Sequence, residues 1–272
     1  MNQREDLRHT GLTLIKIGTT TLTTHDGQLD SDQLKNLVDQ IGQELIKKRR
    51  DIMIVTSGAI ACGSIALSLE PLSIPQKQAS ASVGQSLLMH HYTTLFKTYG
   101  CSVGQILLTK DCLQNPIRQL NICNTISTLL HQGAIPIINE NDTIATDEIG
   151  EKFGDNDELS CKVAQLLHAK EMIILSDIDG VYTANPTTHA DAKQLTHLDP
   201  LSTEWHSFIQ DIPNTKSRGG MLSKLTHAVE AVQSGVSVVI ANGRRPRVLT
   251  DIFDGNAVGT RIESPKNGSK AG

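Results

Sequence analysis

Aromatic side chains are scarce in this chain. Phe, Trp and Tyr make up 3% of its 272 residues, against 38% for all hydrophobic types. A core of any size must therefore be aliphatic, and runs such as Ile52-Met53-Ile54-Val55 and Ile135-Pro136-Ile137-Ile138 supply it. No apolar run approaches the ~18 residues that cross a bilayer. Met1 to Thr10 is polar and charged, so no secretory signal is visible. Formal net charge is −4 and there is no basic block, which argues against nucleic acid as a main partner. The five cysteines (62, 101, 112, 123 and 161) show no CxxC or metal-ligand spacing. Reduced thiols in a cytoplasmic protein are the natural reading, with no metal site expected. Several catalytic signatures are missing as well. There is no G-x-x-x-x-G-K-[ST], no G-x-G-x-x-G after the first strand and no G-x-S-x-G nucleophile elbow. None of the ten histidines falls in an H-x-x-x-H pattern, and His90-His91 reads as a polar helix face.

What is present alternates. Short apolar runs at Leu12–Ile17, Asp51–Val55, Val103–Leu108, Ala134–Ile138, Met172–Leu175, Val236–Ala241 and Gly259–Glu263 read as strands. Between them, helices are expected at Asp30–Arg50, Gln76–Tyr99, Gln119–His131, Glu158–His168, Thr203–Gln210, a segment opened by Gly219-Gly220-Met221, and Pro246–Phe253. Leu34, Leu37, Ile41 and Leu45 mark one face of the first, and Asp30 or Ser31 can cap it. Gly84 inside the second implies close packing. Thr143 to Glu148 alternates like a short hairpin. The pattern predicts a three-layer αβα sandwich with a mainly parallel sheet. Residues 1–263 would form one domain, and 264–272 a loose tail.

In such a fold the strand C-termini share one edge, and ligands bind there. Four polar clusters follow strands: Lys16–Thr20, Thr56–Ile60, Asn139–Asp142 and Ser176–Asp177. A fifth stretch, Gly154-Asp155-Asn156-Asp157, enters a helix. Two lysines, Lys16 and Lys224, lie far apart in glycine-bearing segments. Cations, an acid to position them and backbone amides are what phosphoryl transfer needs. Each residue also has a plainer reading. Lys16 can snorkel from its strand, Asp157 can serve a helix dipole, Asp142 can cap a turn and Asn156 a helix, Ser57 can be a turn residue, and Lys224 can face solvent.

These segments together resemble the amino acid kinase family. The matching stretches are Lys16-Ile17-Gly18-Thr19, Ile54-Val55-Thr56-Ser57-Gly58-Ala59-Ile60, Val83-Gly84-Gln85, Gly104-Gln105-Ile106-Leu107-Leu108-Thr109, Ile138-Asn139-Glu140-Asn141-Asp142, Gly154-Asp155-Asn156-Asp157 and Gly219-Gly220-Met221 with Lys224. They run in family order from residue 12 to about 262. Members often carry an added C-terminal RNA-binding-like module. This chain ends before one could fit and resembles the kinase-only form.

The resemblance implies ATP-dependent phosphorylation of the γ-carboxylate of L-glutamate, the first step of proline synthesis. It implies that Lys16 and Lys224 neutralise phosphate oxygens while Asp157 orients them. It places Ser57, Gly58, Asn139, Asp142 and Asn156 at glutamate. The nucleotide would lie against Lys16, Gly18, Ser176, Asp177, Arg218, Gly219, Gly220, Met221 and Lys224. Mg²⁺ would ride on the ATP phosphates with few protein ligands. Further implications are proline as a feedback inhibitor and assembly into dimers or tetramers. Arg218 stands where relatives often carry Thr, and Ser176 where Thr is common. Two rivals stand beside this reading. One is a family kinase acting on N-acetylglutamate, aspartate, carbamate or a nucleoside monophosphate. The other is a non-catalytic ligand sensor, which would have no need of Lys16, Asp157 and Lys224 together.

Overall fold

The computed structural model describes residues 11–47, 50–70, 73–145, 156–202, 205 and 216–263, the side chains of 216–219 excepted. Strands β1 (Thr13–Ile17), β2 (Ile52–Thr56), β3 (Val103–Leu108), β4 (Ile135–Glu140), β5 (Glu171–Ser176), β6 (His197–Leu198), β7 (Ser237–Asn242) and β8 (Thr260–Ile262) form one sheet. Its order is β3-β4-β2-β1-β5-β7-β8-β6. Every pairing is parallel except β7 with β8. β1 is central, in register with β2 from Thr13–Ile52 to Ile17–Thr56 and with β5 from Thr13–Glu171 to Ile17–Leu175. The C-terminal ends of these three strands therefore reach the same edge together.

The helices are α1 (Thr19–Leu22), α2 (Ser31–Ile46), α3 (Ala59–Ala66), α4 (Ile74–Lys97), α5 (Pro116–His131), α6 (Asn156–Leu166), α7 (Lys216–Gln233) and α8 (Val248–Phe253). Their starts follow from sequence chemistry. Asp30 caps α2 by accepting from the Gln33 N–H at 3.0 Å. Ser73 and Gln76 form a capping box on α4, with Pro75 in its first turn. Asn115 accepts from Ile117 N and Arg118 N to start α5.

Because side chains alternate along a strand, each strand feeds two cores. Leu12 and Leu14 of the β1 segment, with Met53 and Val55 of β2, pack under α5, α6 and α7. Ile15, Ile17, Ile52 and Ile54 pack on the other face under α2, α4 and α8. The three layers expected from the sequence are thus observed. Among the described residues no helix is long and apolar enough to cross a membrane.

Some expectations are corrected. The Gly219-Gly220 pair does not open α7 but lies within it, since the helix already runs from Lys216. A glycine costs about 1 kcal/mol in a helix, which the buried face of Leu225, Ala228 and Val232 offsets. Thr143 and Ile144 are turn, Ala145 is not strand either, and the rest of the expected hairpin lies outside the described residues. So do the expected tail and nearly all of the Thr203–Gln210 helix. Strand β6 went unforeseen, being only two residues long.

Candidate active site

Lys16 sits near the end of β1. Period-two alternation puts it on the face of Leu12 and Leu14, under α6 and α7. It is 5% exposed. Asp157, in the first turn of α6, is fully buried. Its carboxylate holds Lys16 Nζ at 2.6 Å on one oxygen and Lys224 Nζ, from α7, at 3.1 Å on the other. Burial pushes the Asp157 carboxyl up, but the charges of Lys16 and Lys224 outweigh it and hold it below the usual carboxylate value. Lys224 Nζ also lies 3.4 Å from the Gly220 carbonyl. Residues 16, 157 and 224 thus form one buried ion cluster.

Gly18 follows at the β1 exit, its N–H donating to the Leu175 carbonyl at 3.2 Å. A Cβ there would stand 3.3 Å from that carbonyl and 3.5 Å from Lys16 Nζ. The glycine leaves open the space next to the ammonium.

The second cluster is made of amides. At the end of β2 the chain turns through Ser57 and Gly58, whose φ of +99° is open to glycine at little cost. That turn starts α3. Asn156, the first residue of α6, points its Nδ2 at the Thr56 carbonyl (2.7 Å), Ser57 Oγ (2.8 Å) and Asn139 Oδ1 (3.1 Å). Asn139, near the end of β4, is 2% exposed. Ser57, Asn139 and Asn156 therefore meet, one residue along α6 from Asp157 and its ion cluster. Asp142 lies in the half-buried turn just after β4.

Helix α3 is held here by an unusually close crossing with α4. A Cβ on Gly84 would fall 1.8 Å from the Ala59 carbonyl oxygen, and one on Gly63 would fall 1.8 Å from that of Ser80. The Thr56 hydroxyl, facing the other layer, meets Tyr92 Oη of α4 at 2.9 Å. Helix α4 thus braces the turn from behind.

The remaining candidates spread along the same edge. Ser176 ends β5 and donates to Asp177 Oδ1 at 3.0 Å. Asn242, ending β7, donates to Asp179 at 2.8 Å, a link the sequence did not announce. Gly220 lies in α7, and Met221 packs against the core beneath it. The backbone of Arg218 and Gly219 is helical. The Arg218 side chain, Gly154 and Asp155 lie outside what is described.

A possible ligand set for a metal ion lies one turn beyond the ion cluster, where Cys161, His227 and Glu230 bring ligand atoms within 4.8 Å of one another. Burial, reinforced by the Glu230 charge, pushes the Cys161 thiol up to about 12. Glu230 is already paired with Lys162 and lies 3.4 Å from His227 Nδ1. The cluster closes on itself.

A mainly parallel sheet whose central strand end meets two helices in a lysine–aspartate–lysine cluster, beside an amide pocket, is equipped for phosphoryl transfer without a P-loop. The chain belongs to the amino acid kinase family, whose model it matches over residues 11–242. It is 40% identical over 267 residues to "Glutamate 5-kinase" of Listeria innocua, covering 97% of this chain and 96% of that one. It is 39% identical over 267 residues to "Glutamate 5-kinase" of Clostridium perfringens, covering 97% and 99%. Among solved structures, UMP kinase from Ureaplasma parvum superposes with a TM-score of 0.65 at 15% identity, covering 94% of this chain and all 100% of that one. That last likeness speaks to the fold alone.

Proposed function

We propose that this chain transfers the γ-phosphoryl group of ATP to the γ-carboxylate of L-glutamate, yielding L-glutamyl 5-phosphate for proline synthesis. The observation that carries the reading is the buried Asp157 holding Lys16 and Lys224 in one cluster. Two cations converging from a strand end and a helix suit the charge that spreads over a transferring phosphoryl group. Asp157 orients them. It need not act as a base, because the attacking carboxylate is already ionised at neutral pH. The gap at Gly18 admits phosphate oxygens beside Lys16. Glutamate would lie against Ser57, Gly58, Asn139 and Asn156, with Asp142 pairing its α-ammonium. Ser176, Asp177, Arg218, Gly219, Gly220 and Met221 would line the nucleotide.

The Asp157 carboxylate is committed to two lysines, so its donor set does not offer a ready metal ligand. Mg²⁺ fits best on the nucleotide phosphates with water completing its shell, where it adds further charge neutralisation. Proline as an inhibitor near the glutamate pocket belongs to the same proposal, as do a cytoplasmic location and a homo-oligomer. Exposed Ile65, Leu67, Ile74, Val83 and Leu87 on and beside α3 and α4 favour the oligomer.

The test is ADP release from MgATP with L-glutamate and hydroxylamine, which traps the acyl phosphate as hydroxamate. Parallel reactions hold N-acetylglutamate, aspartate, carbamate and UMP. Hydroxamate with glutamate alone supports the reading. Turnover with another acceptor would overturn the pocket assignment, and silence throughout from protein that binds ATP would favour a sensor.

A further inference from the structure

The acceptor pocket is tied to a residue in the opposite helical layer. Gln85 lies on α4 and is 7% exposed. Its Oε1 accepts from Asn139 Nδ2 at 2.9 Å. The other end of the Asn139 amide, Oδ1, accepts from the Glu140 N–H at 2.9 Å and from Asn156 Nδ2 at 3.1 Å. Helix α4 packs on one face of the sheet and α6 on the other. One amide at the strand end thus joins the two layers around the edge of the sheet.

We propose that Gln85 is a positioning residue for the acceptor: its side-chain oxygen sets the sense of the Asn139 amide, and Asn139 in turn aims Asn156 and Ser57. The inference rests on the reading of Ser57, Asn139 and Asn156 as the acceptor pocket.

The polarity of the chain supports it. Were Asn139 turned over, its NH₂ would face the Glu140 N–H and the Asn156 NH₂, donors against donors. An oxygen from Gln85 on the far side favours the observed sense. The Gln85 Nε2 has no partner among the described residues. An unbranched apolar residue would fill the same space without stranding that donor, so the distinctive contribution of glutamine is its oxygen. Position is also tightly held. Gly84, the preceding residue, abuts the Ala59 carbonyl at the first turn of α3. Helix α4 cannot slide without displacing the Gly58 turn. Asn156 feels the result directly, because its single NH₂ group serves Thr56, Ser57 and Asn139 together.

Gln85→Met and Gln85→Glu test this. Methionine keeps the shape and removes the oxygen; glutamate keeps an acceptor. For Gln85→Met, KM for L-glutamate should rise about tenfold, as for loss of ~1.4 kcal/mol of pocket interaction, with KM for ATP unchanged. Gln85→Glu should fall between Gln85→Met and wild type, and it carries the comparison if Gln85→Met does not fold. Independently of turnover, protein labelled with ¹⁵N-asparagine reports the Asn156 side-chain amide, assigned through Asn156→Asp. Its signals should shift and lose exchange protection in Gln85→Met. Unchanged Asn156 signals would overturn the proposal, as would KM values for glutamate and ATP that rise together. If wild-type protein spares glutamate, the acceptor reading fails, while the Asn156 signals still decide whether Gln85 acts through Asn139.

Discussion

Replacing Asp157 by asparagine keeps the shape of the side chain and removes its charge. In the wild type, the lysine contacts at 2.6 and 3.1 Å carry roughly 6 and 5 kcal/mol of gross attraction at an effective dielectric near 20. Most of that is offset by desolvation of three buried charges. In Asp157→Asn the desolvation remains and the attraction is gone. Two ammonium groups are left within about 8 Å of each other, repelling by about 2 kcal/mol at the same dielectric. Breaking a buried pair from one side costs about 3–5 kcal/mol. For a chain of this size that lowers Tm by on the order of 10 °C. The nucleotide reverses part of the loss. If Lys16 and Lys224 receive phosphates, MgATP supplies the missing negative charge and should raise the Tm of the variant by more than it raises that of wild type. Activity should not recover with it, because lysines no longer held by Asp157 miss the transition state. A fall in kcat of about 100- to 1,000-fold is expected, comparable to losing an oriented oxyanion donor. Thermal melts with and without MgATP, paired with the hydroxamate assay, read both effects. Wild-type Tm together with wild-type kcat would refute the reasoning, and an equal MgATP shift in both proteins would detach the lysines from the phosphates.

The same carboxylate sets a pH dependence. Its folded-state value is depressed, so its stabilisation is complete above the ordinary carboxylate value and is lost as pH falls through the lower folded value. The Tm gap between wild type and Asp157→Asn should be constant from about pH 8 to 5 and narrow below about pH 4, followed by calorimetry. Lys224→Ala should cut kcat by about 100-fold or more while leaving KM for glutamate nearly unchanged, and an unaltered kcat would remove Lys224 from the chemistry. Gly84→Ala sets a Cβ 1.8 Å from the Ala59 carbonyl oxygen, a backbone atom that can give way only if the helix moves with it. A loss of about 1–3 kcal/mol or more is expected in denaturant melts, with a raised KM for glutamate as α3 and its turn are pushed away. A melt like that of wild type would show that the two helices can part without cost.

The layers, and the edge at which the polar clusters collect, were legible along the chain. Strands such as Ile52–Thr56 are bounded by turn chemistry and buried on both faces, which only a covered parallel sheet satisfies. The cap at Asp30 is a local interaction within three residues and was read along the chain; the caps at Ser73 and Asn115 are as local but were passed over, so the expected helices began late, at Gln76 and Gln119. The candidate residues at strand ends were legible for the same reason, since parallel connections deliver those ends to one side. Which of them touch is set by long-range packing. Lys16 and Asp157 are 141 positions apart, and Lys224 is 67 beyond. Their meeting depends on Lys16 falling on the α6–α7 face of β1 and on α7 packing against α6, and neither is a local property. Gln85 escaped notice as a pocket residue because its partner, Asn139, lies 54 residues away across a layer boundary. Its neighbour Gly84 announced close packing but not against what. Helix boundaries around Gly219 went the other way: local propensity favoured a start there, and burial of the face carrying Leu225 and Ala228 carried the helix back to Lys216. Local chemistry chooses elements; packing over long separations chooses which side chains share a charge.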